Sequence, residues 1–236
     1  MPAPRPQRVA PGIHLIATFW ANAYLIETGG SLTLIDCLMP GNAPRILRAV
    51  EAIGGSASAL KAMGNNTACV WLTHADMDHI GSLANLKELT GASVAAHPLA
   101  EPFVRGQGKR TIRAGRLAQA LLGRLFPADR LRPSQVDRFL EEGETIDGWQ
   151  VIETPGHAPG YVAFYHAGQR ALIAGDTLVN LRTLQPSTHM FTEDPTANAA
   201  SIRRLAELDV EFAAFGHGPP IAHRAGERIK KVAQKV

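Results

Sequence analysis

The chain has 236 residues, 45% hydrophobic and 19% charged, with a formal net charge of +3; that is apolar enough for a substantial core and too weakly charged to imply nucleic acid by composition. Cys37 and Cys69, the 2 cysteines of the chain, are too few for a disulfide framework, and no run reaches the roughly 20 apolar residues of a membrane span. The opening stretch MPAPRPQRVAPG holds no apolar segment of signal-peptide length, so a cytoplasmic protein is expected, with residues 1–236 forming one domain.

Short apolar stretches come first: IHLIA, AYLIETGG and SLTLID, bounded by Gly and Asn, read as consecutive antiparallel strands joined by tight turns. APRILRAVEAIGG has apolar residues near helical spacing and a Gly-Gly stop. ACVWLTH reads as a buried strand, IGSLANLKELTG as a helix and ASVAAH as another short strand. Residues 110–126 suggest one or two helices with a basic face. Between Glu101 and Leu140, nine Lys or Arg face three Asp or Glu. This 101–140 segment is expected to be a basic helical insertion or cap, able to pair two subunits through LAQALLGRLF. WQVIETPGH, YVAFYHAG and RALIAGDT are strands, followed by a helix in TANAASIRRLAEL, the strand EFAAFGHG and a C-terminal helix. Strand blocks alternating with helices, the second half echoing the first, suit an α+β chain of two sheets packed face to face and covered by helices outside.

The chemistry concentrates at strand ends. THADMDHIGSL gathers His74, Asp76, Asp78 and His79 directly after an apolar strand. TPGH contributes His157, AGDT contributes Asp176, and FGHGPP contributes His217, each beside glycine, where backbone can approach a site closely. Four strand ends carrying His or Asp point to metal binding.

This ordered set resembles the metallo-β-lactamase superfamily of metal-dependent hydrolases over nearly the whole chain, from NAYLIETGG to FGHGPP. The resemblance implies the αβ/βα sandwich with a dinuclear site at one edge: His74, Asp76 and His157 holding one metal, Asp78, His79 and His217 the other, and Asp176 bridging. Asp76 departs from the family, most catalytic members of which have histidine there. Two divalent ions are implied, zinc first; the extra carboxylate oxygen opens the site to manganese or iron. The implied reaction is attack by metal-bound hydroxide on an ester, thioester or lactone carbonyl, a phosphodiester being less favoured, with Asp78 or Asp176 taking the proton. No G-x-S-x-G occurs, and neither cysteine has a neighbouring base in sequence.

Around this set, Asp36 in LIDC is a candidate to orient a metal-bound histidine, His97 is a candidate pocket residue, and Phe19, Trp20 and Asn22 in TFWANAY form a candidate hairpin tip over the site. The substrate is expected to be a small molecule, with no membrane partner. Two alternatives stand beside hydrolysis. One is an iron-dependent redox protein on the same fold, flavodiiron-like or dioxygenase-like. The other is a non-enzymatic nucleic-acid-binding module built on the basic segment, which would bind with steep salt dependence. Asp76, and the lack of a recognisable added substrate domain, argue against glyoxalase-type thioesterases and tRNA-processing nucleases.

Overall fold

The computed structural model describes residues 6–28, 31–56, 60, 70–110, 113, 124 and 131–236. The antiparallel run expected at the start is a four-stranded meander of β1 (Gln7–Ala10), β2 (Ile13–Ala17), β3 (Asn22–Thr28) and β4 (Ser31–Ile35). β5 (Val70–Trp71), β6 (Val94–Ala96) and β7 (Arg138–Phe139) then add in parallel, so that the 7-stranded sheet runs in chain order. The second sheet begins with β8 (Thr145–Ile146), β9 (Trp149–Glu153), β10 (Val162–His166) and β11 (Ala171–Ile173), all antiparallel. β8 and β9 meet across Asp147 and Gly148, at φ 51° and 85°, the pair of positive values that a two-residue type I′ hairpin demands. A separate ribbon pairs β12 (Leu178–Asn180) with β13 (Leu184–Pro186), and β14 (Phe212–Ala214) closes the second sheet parallel to β11.

Alternation along the strands builds three apolar layers at once. In β3, Tyr24 and Ile26 face the second sheet while Ala23 and Leu25 face the helices; in β10, Val162 and Phe164 point inward and Ala163 and Tyr165 outward. The period of two places successive residues on opposite faces, and because both faces are covered these strands read as continuous apolar runs. The inner layer contains Trp71 against Phe164, with ring centroids 5.3 Å apart. The first sheet's outer face carries the helices Ala43–Ala52 and Leu83–Thr90, and the second's carries Pro195–Leu205 and Ala225–Ala233. This is the four-layer αβ/βα sandwich.

Local chemistry sets the helix limits. The Asp194 side chain accepts from the Thr196 and Ala197 amides at 2.9 Å, capping the helix that follows. Leu83–Thr90 stops at Gly91, φ 69°. The helix expected across IGSLANLKELTG forms over Leu83–Thr90, and a separate short helix, Met77–Ile80, precedes it. Gly81 packs directly on Pro40, leaving no room for a Cβ, and the Ser82 hydroxyl donates to the Met39 carbonyl at 2.7 Å. Both contacts pin the join and turn the chain there. The helices expected in 110–126 fall largely outside the described residues, as does Cys69; Cys37 is a buried free thiol. Among the described residues no helix is long and apolar enough to cross a membrane.

Candidate metal centre

The strands of both sheets end on the same edge of the sandwich. Thr73 and His74 follow β5, His157 follows β9, Asp176 follows β11, and His217 follows β14. The sheets are stitched together there: the Val162 amide donates to the Thr73 carbonyl at 2.9 Å, and the Asn22 amide to the Gly216 carbonyl at 2.8 Å. All seven residues of the sequence-derived set converge at this edge.

Asp76 Oδ2 lies 3.6 Å from His74 Nε2 and 3.3 Å from His157 Nε2. On the other side, Asp78 Oδ2 lies 3.8 Å from His79 Nε2 and 3.4 Å from His217 Nε2. Asp176 Oδ2 sits between, 3.5 Å from His79, 3.8 Å from His157 and 2.9 Å from His217. Ligand atoms sharing a cation at about 2.1 Å stand roughly 3.4 Å apart, so most of these separations match the edges of a coordination polyhedron. The Nε2 atoms of His74, His79 and His157 and Oδ1 of Asp176 are buried without a hydrogen-bond partner among the described residues. Buried polar atoms without partners are costly, and lone pairs aimed at one point are what a cation satisfies. The residues present therefore fit two divalent ions.

Hydrogen bonds behind three of the four imidazoles, those of His74, His79 and His217, fix their tautomers. The Thr73 hydroxyl gives its one proton to Asp36 Oδ2 at 2.7 Å. It can then only accept from His74 Nδ1, 2.9 Å away, so His74 carries its proton on Nδ1 and a lone pair on Nε2. His79 Nδ1 donates to Asp36 Oδ2 at 2.9 Å, and His217 Nδ1 to the Trp20 carbonyl at 2.6 Å. Each leaves Nε2 free to ligate, the usual orientation of a metal-binding histidine. Asp36 also accepts from the Thr73 amide at 2.8 Å and holds a left-handed backbone, φ 60°, a conformation worth its strain only where its contacts require it.

The buried charges of the cluster shift one another's protonation. Burial opposes charge on His79, but Asp176, Asp78 and Asp36 hold its pKa well above the ordinary histidine value. Burial likewise raises Asp176 and Asp76, yet His217 and His79 keep the first, and His157 and His74 with Arg110 keep the second, well below the usual carboxylate range. His74, by contrast, is lowered by burial and by His79. Gly216 is required by close approach, since a Cβ would stand 2.6 Å from His79 Cε1 and collide with the Asp176 carboxylate.

The neighbouring candidates divide. Asn22 donates from Nδ2 to the Phe215 and Gly218 carbonyls at 3.0 and 2.7 Å, framing the loop that carries His217. Phe19 and Trp20 are exposed at the tip between β2 and β3, edge to face at 5.1 Å. His97 bonds through Nε2 to Glu153, at the end of β9 in the other sheet, at 3.1 Å, and its Nδ1 accepts from the Leu99 amide. Arg110, which the sequence reading did not single out, forks onto the Asp76 carboxylate. The positive charge of the 101–140 segment was its one signal, and charge alone did not say where any member would point.

Fold and cluster together define a metal-binding αβ/βα sandwich with a seven-residue His/Asp centre at its strand ends. The metallo-beta-lactamase superfamily model matches residues 20–217, and the chain belongs to that superfamily. It is 30% identical over 235 residues to the probable metallo-hydrolase YflN of Bacillus subtilis, covering 90% of this chain and 86% of that protein. It is similar to the solved structure of TTHA1623 in a di-iron-bound form, with TM-score 0.63 and 31% identity, over 87% of this chain and 91% of that one. A hydroxyacylglutathione hydrolase of Pseudomonas paraeruginosa is 30% identical over 144 residues, 59% of this chain and 42% of that enzyme.

Proposed function

We propose that this protein is a hydrolase with two divalent metal ions, acting on an ester, thioester or lactone carbonyl of a small molecule. The observation that carries the reading is the cluster of buried Nε2 atoms of His74, His79 and His157, without hydrogen-bond partners among the described residues, at the Asp76 and Asp176 carboxylates. When bound, the cations supply Lewis acidity toward water and toward the scissile carbonyl. His74, Asp76 and His157 would hold one, Asp78, His79 and His217 the other, and Asp176 would bridge. Asp176 is buried, with its Oδ2 enclosed by His79, His157 and His217, which leaves it little access to a proton on its way to solvent. Asp78, with its side chain 29% exposed, is the better-placed base for the proton lost by the attacking water. Phe19 and Trp20, exposed at the tip whose Trp20 carbonyl holds His217, would receive the apolar part of the substrate. The partial match to a hydroxyacylglutathione hydrolase supports thioesters as the first class to try.

A second reading, iron-dependent redox chemistry, is favoured by two observations: a carboxylate at position 76, whose oxygen suits iron more than imidazole does, and the di-iron form of a similar structure. Metal analysis of full-length protein purified without chelator, followed by thioester, ester, lactone and phosphodiester assays, tests the proposal. Near two equivalents of metal and hydrolysis, both lost in Asp176→Ala, support it. Oxygen uptake by the iron-loaded protein without hydrolysis would replace it with the redox reading. Absence of both activities, with no metal retained, would overturn it.

A further inference from the structure

Arg110 belongs to the basic segment, far in sequence from the motif turn, yet its guanidinium reaches Asp76. Nε donates to Asp76 Oδ1 and Nη2 to Oδ2, the latter at 3.1 Å. Nη1 donates to Glu193 Oε1 at 2.6 Å, and Nη2 also donates to the carbonyls of His157 and Phe191 at 2.9 and 3.0 Å. One side chain thus ties together the turn after β5, the turn carrying His157 and the loop ending at Glu193. Its own side chain is 18% exposed and that of Asp76 19%, so the pair is largely shielded, the setting in which a two-bonded Arg–carboxylate fork is strong and directional.

The fork decides how Asp76 can act. A carboxylate is free to rotate and to offer a cation either one oxygen or both. Here the guanidinium fixes its plane by engaging both oxygens, and of the two it is Oδ2 that also faces His74 and His157, while Oδ1 is taken up by Arg110 Nε. A carboxylate also adds a negative charge that an imidazole in the same place would not, and the adjacent guanidinium cancels it. Glu193 in turn balances the guanidinium. We propose that Arg110 is a positioning residue for the first metal: it presents Asp76 as a one-oxygen ligand and offsets the charge that Asp76 brings. The inference rests on reading His74, Asp76 and His157 as a cation site, and its test separates the two.

Zinc alone, titrated into metal-free full-length protein against a chromophoric chelator, gives the affinity of each position. In Arg110→Ala, one of two positions is expected to weaken by about 10–100-fold, the usual effect of losing a partner behind a ligand, and the other to stay unchanged. Arg110→Lys recovers only part, because an ammonium cannot fork. In an Asp76→His background Arg110→Ala should change zinc affinity by less than about twofold, since the carboxylate it serves is gone. Wild-type or tighter binding in Arg110→Ala overturns the proposal. So does an equal loss in both backgrounds, which would mean that Arg110 acts only by tying loops through the His157 and Phe191 carbonyls. If Arg110→Ala fails to fold by circular dichroism, Arg110→Lys compared across the two backgrounds decides. Asp76→Ala and His157→Ala that both leave zinc binding untouched would overturn the cation site itself, and with it the inference.

Discussion

Asp36 touches no ligand atom of the cluster, yet it stands behind one histidine on each side of it. Its carboxylate accepts three protons: from the Thr73 amide, the Thr73 hydroxyl and His79 Nδ1. Through the Thr73 hydroxyl it also fixes His74. Asp36→Asn keeps the volume and tolerates the left-handed backbone at φ 60°, because asparagine visits that region readily. What it changes is the hydrogen-bond sense. With the amide oxygen kept on the Thr73 N–H, the amide nitrogen faces two donors in place of Oδ2, so the Thr73 hydroxyl and the His79 ring must both reorient. Loss of such a partner costs about 10–100-fold in metal affinity, or about 1.4–2.7 kcal/mol, and here it should be felt at both positions. Losing hydrogen bonds to a buried charge should lower the unfolding free energy of the metal-free protein by about 1.5–3 kcal/mol. Chelator competition with zinc and urea unfolding read the two effects. Thr73→Val cuts the relay to His74 while leaving His79 on Asp36, and should weaken chiefly the His74 position. Zinc affinities within about twofold of wild type at both positions in Asp36→Asn would refute the relay.

Three further outcomes follow from the structure. Trp71→Ala empties the space between the sheets beside Phe164 and should cost about 3–5 kcal/mol in urea unfolding; a loss below about 1 kcal/mol would mean that the inner layer is not the main core. Gly216→Ala drives a methyl into Asp176 and His79, so zinc binding should fall with an overpacking cost of about 1–3 kcal/mol, whereas an unchanged chelator titration would contradict the close approach. The raised pKa values of His79 and His217 mean that both hold protons in the metal-free protein above the ordinary histidine range. Metal must displace those protons, so affinity should fall as pH drops through neutrality, with proton release visible by calorimetry in two buffers of different ionisation enthalpy; no release at pH 7 would refute the assignment.

Much of the fold was legible because its signals are local. Apolar runs such as LTLID and VAFYH, broken by Gly, Asn and Pro, specify strands buried on both faces whatever their partners, and the aligned strand ends at His74, His157, Asp176 and His217 mark the edge where they meet. The helix read in IGSLANLKELTG formed over Leu83–Thr90; only its late start escaped the reading, because the Gly81–Pro40 contact reaches outside that window. Residue type and spacing named the seven members of the cluster but not the groups that set their protonation and orientation. The Thr73 relay, the Trp20 carbonyl behind His217 and the Arg110 fork on Asp76 join segments 34 to 197 residues apart, apart from the local Thr73–His74 step. Such pairs carry no periodicity and no motif. The sequence by itself determined strands, layers and ligand types, because those follow from hydrophobic pattern and side-chain chemistry read over a few residues. Only the tertiary structure decided which lone pairs face one another and which charge answers Asp76, because hydrogen bonds reach about 3 Å and that proximity exists only once both sheets are packed.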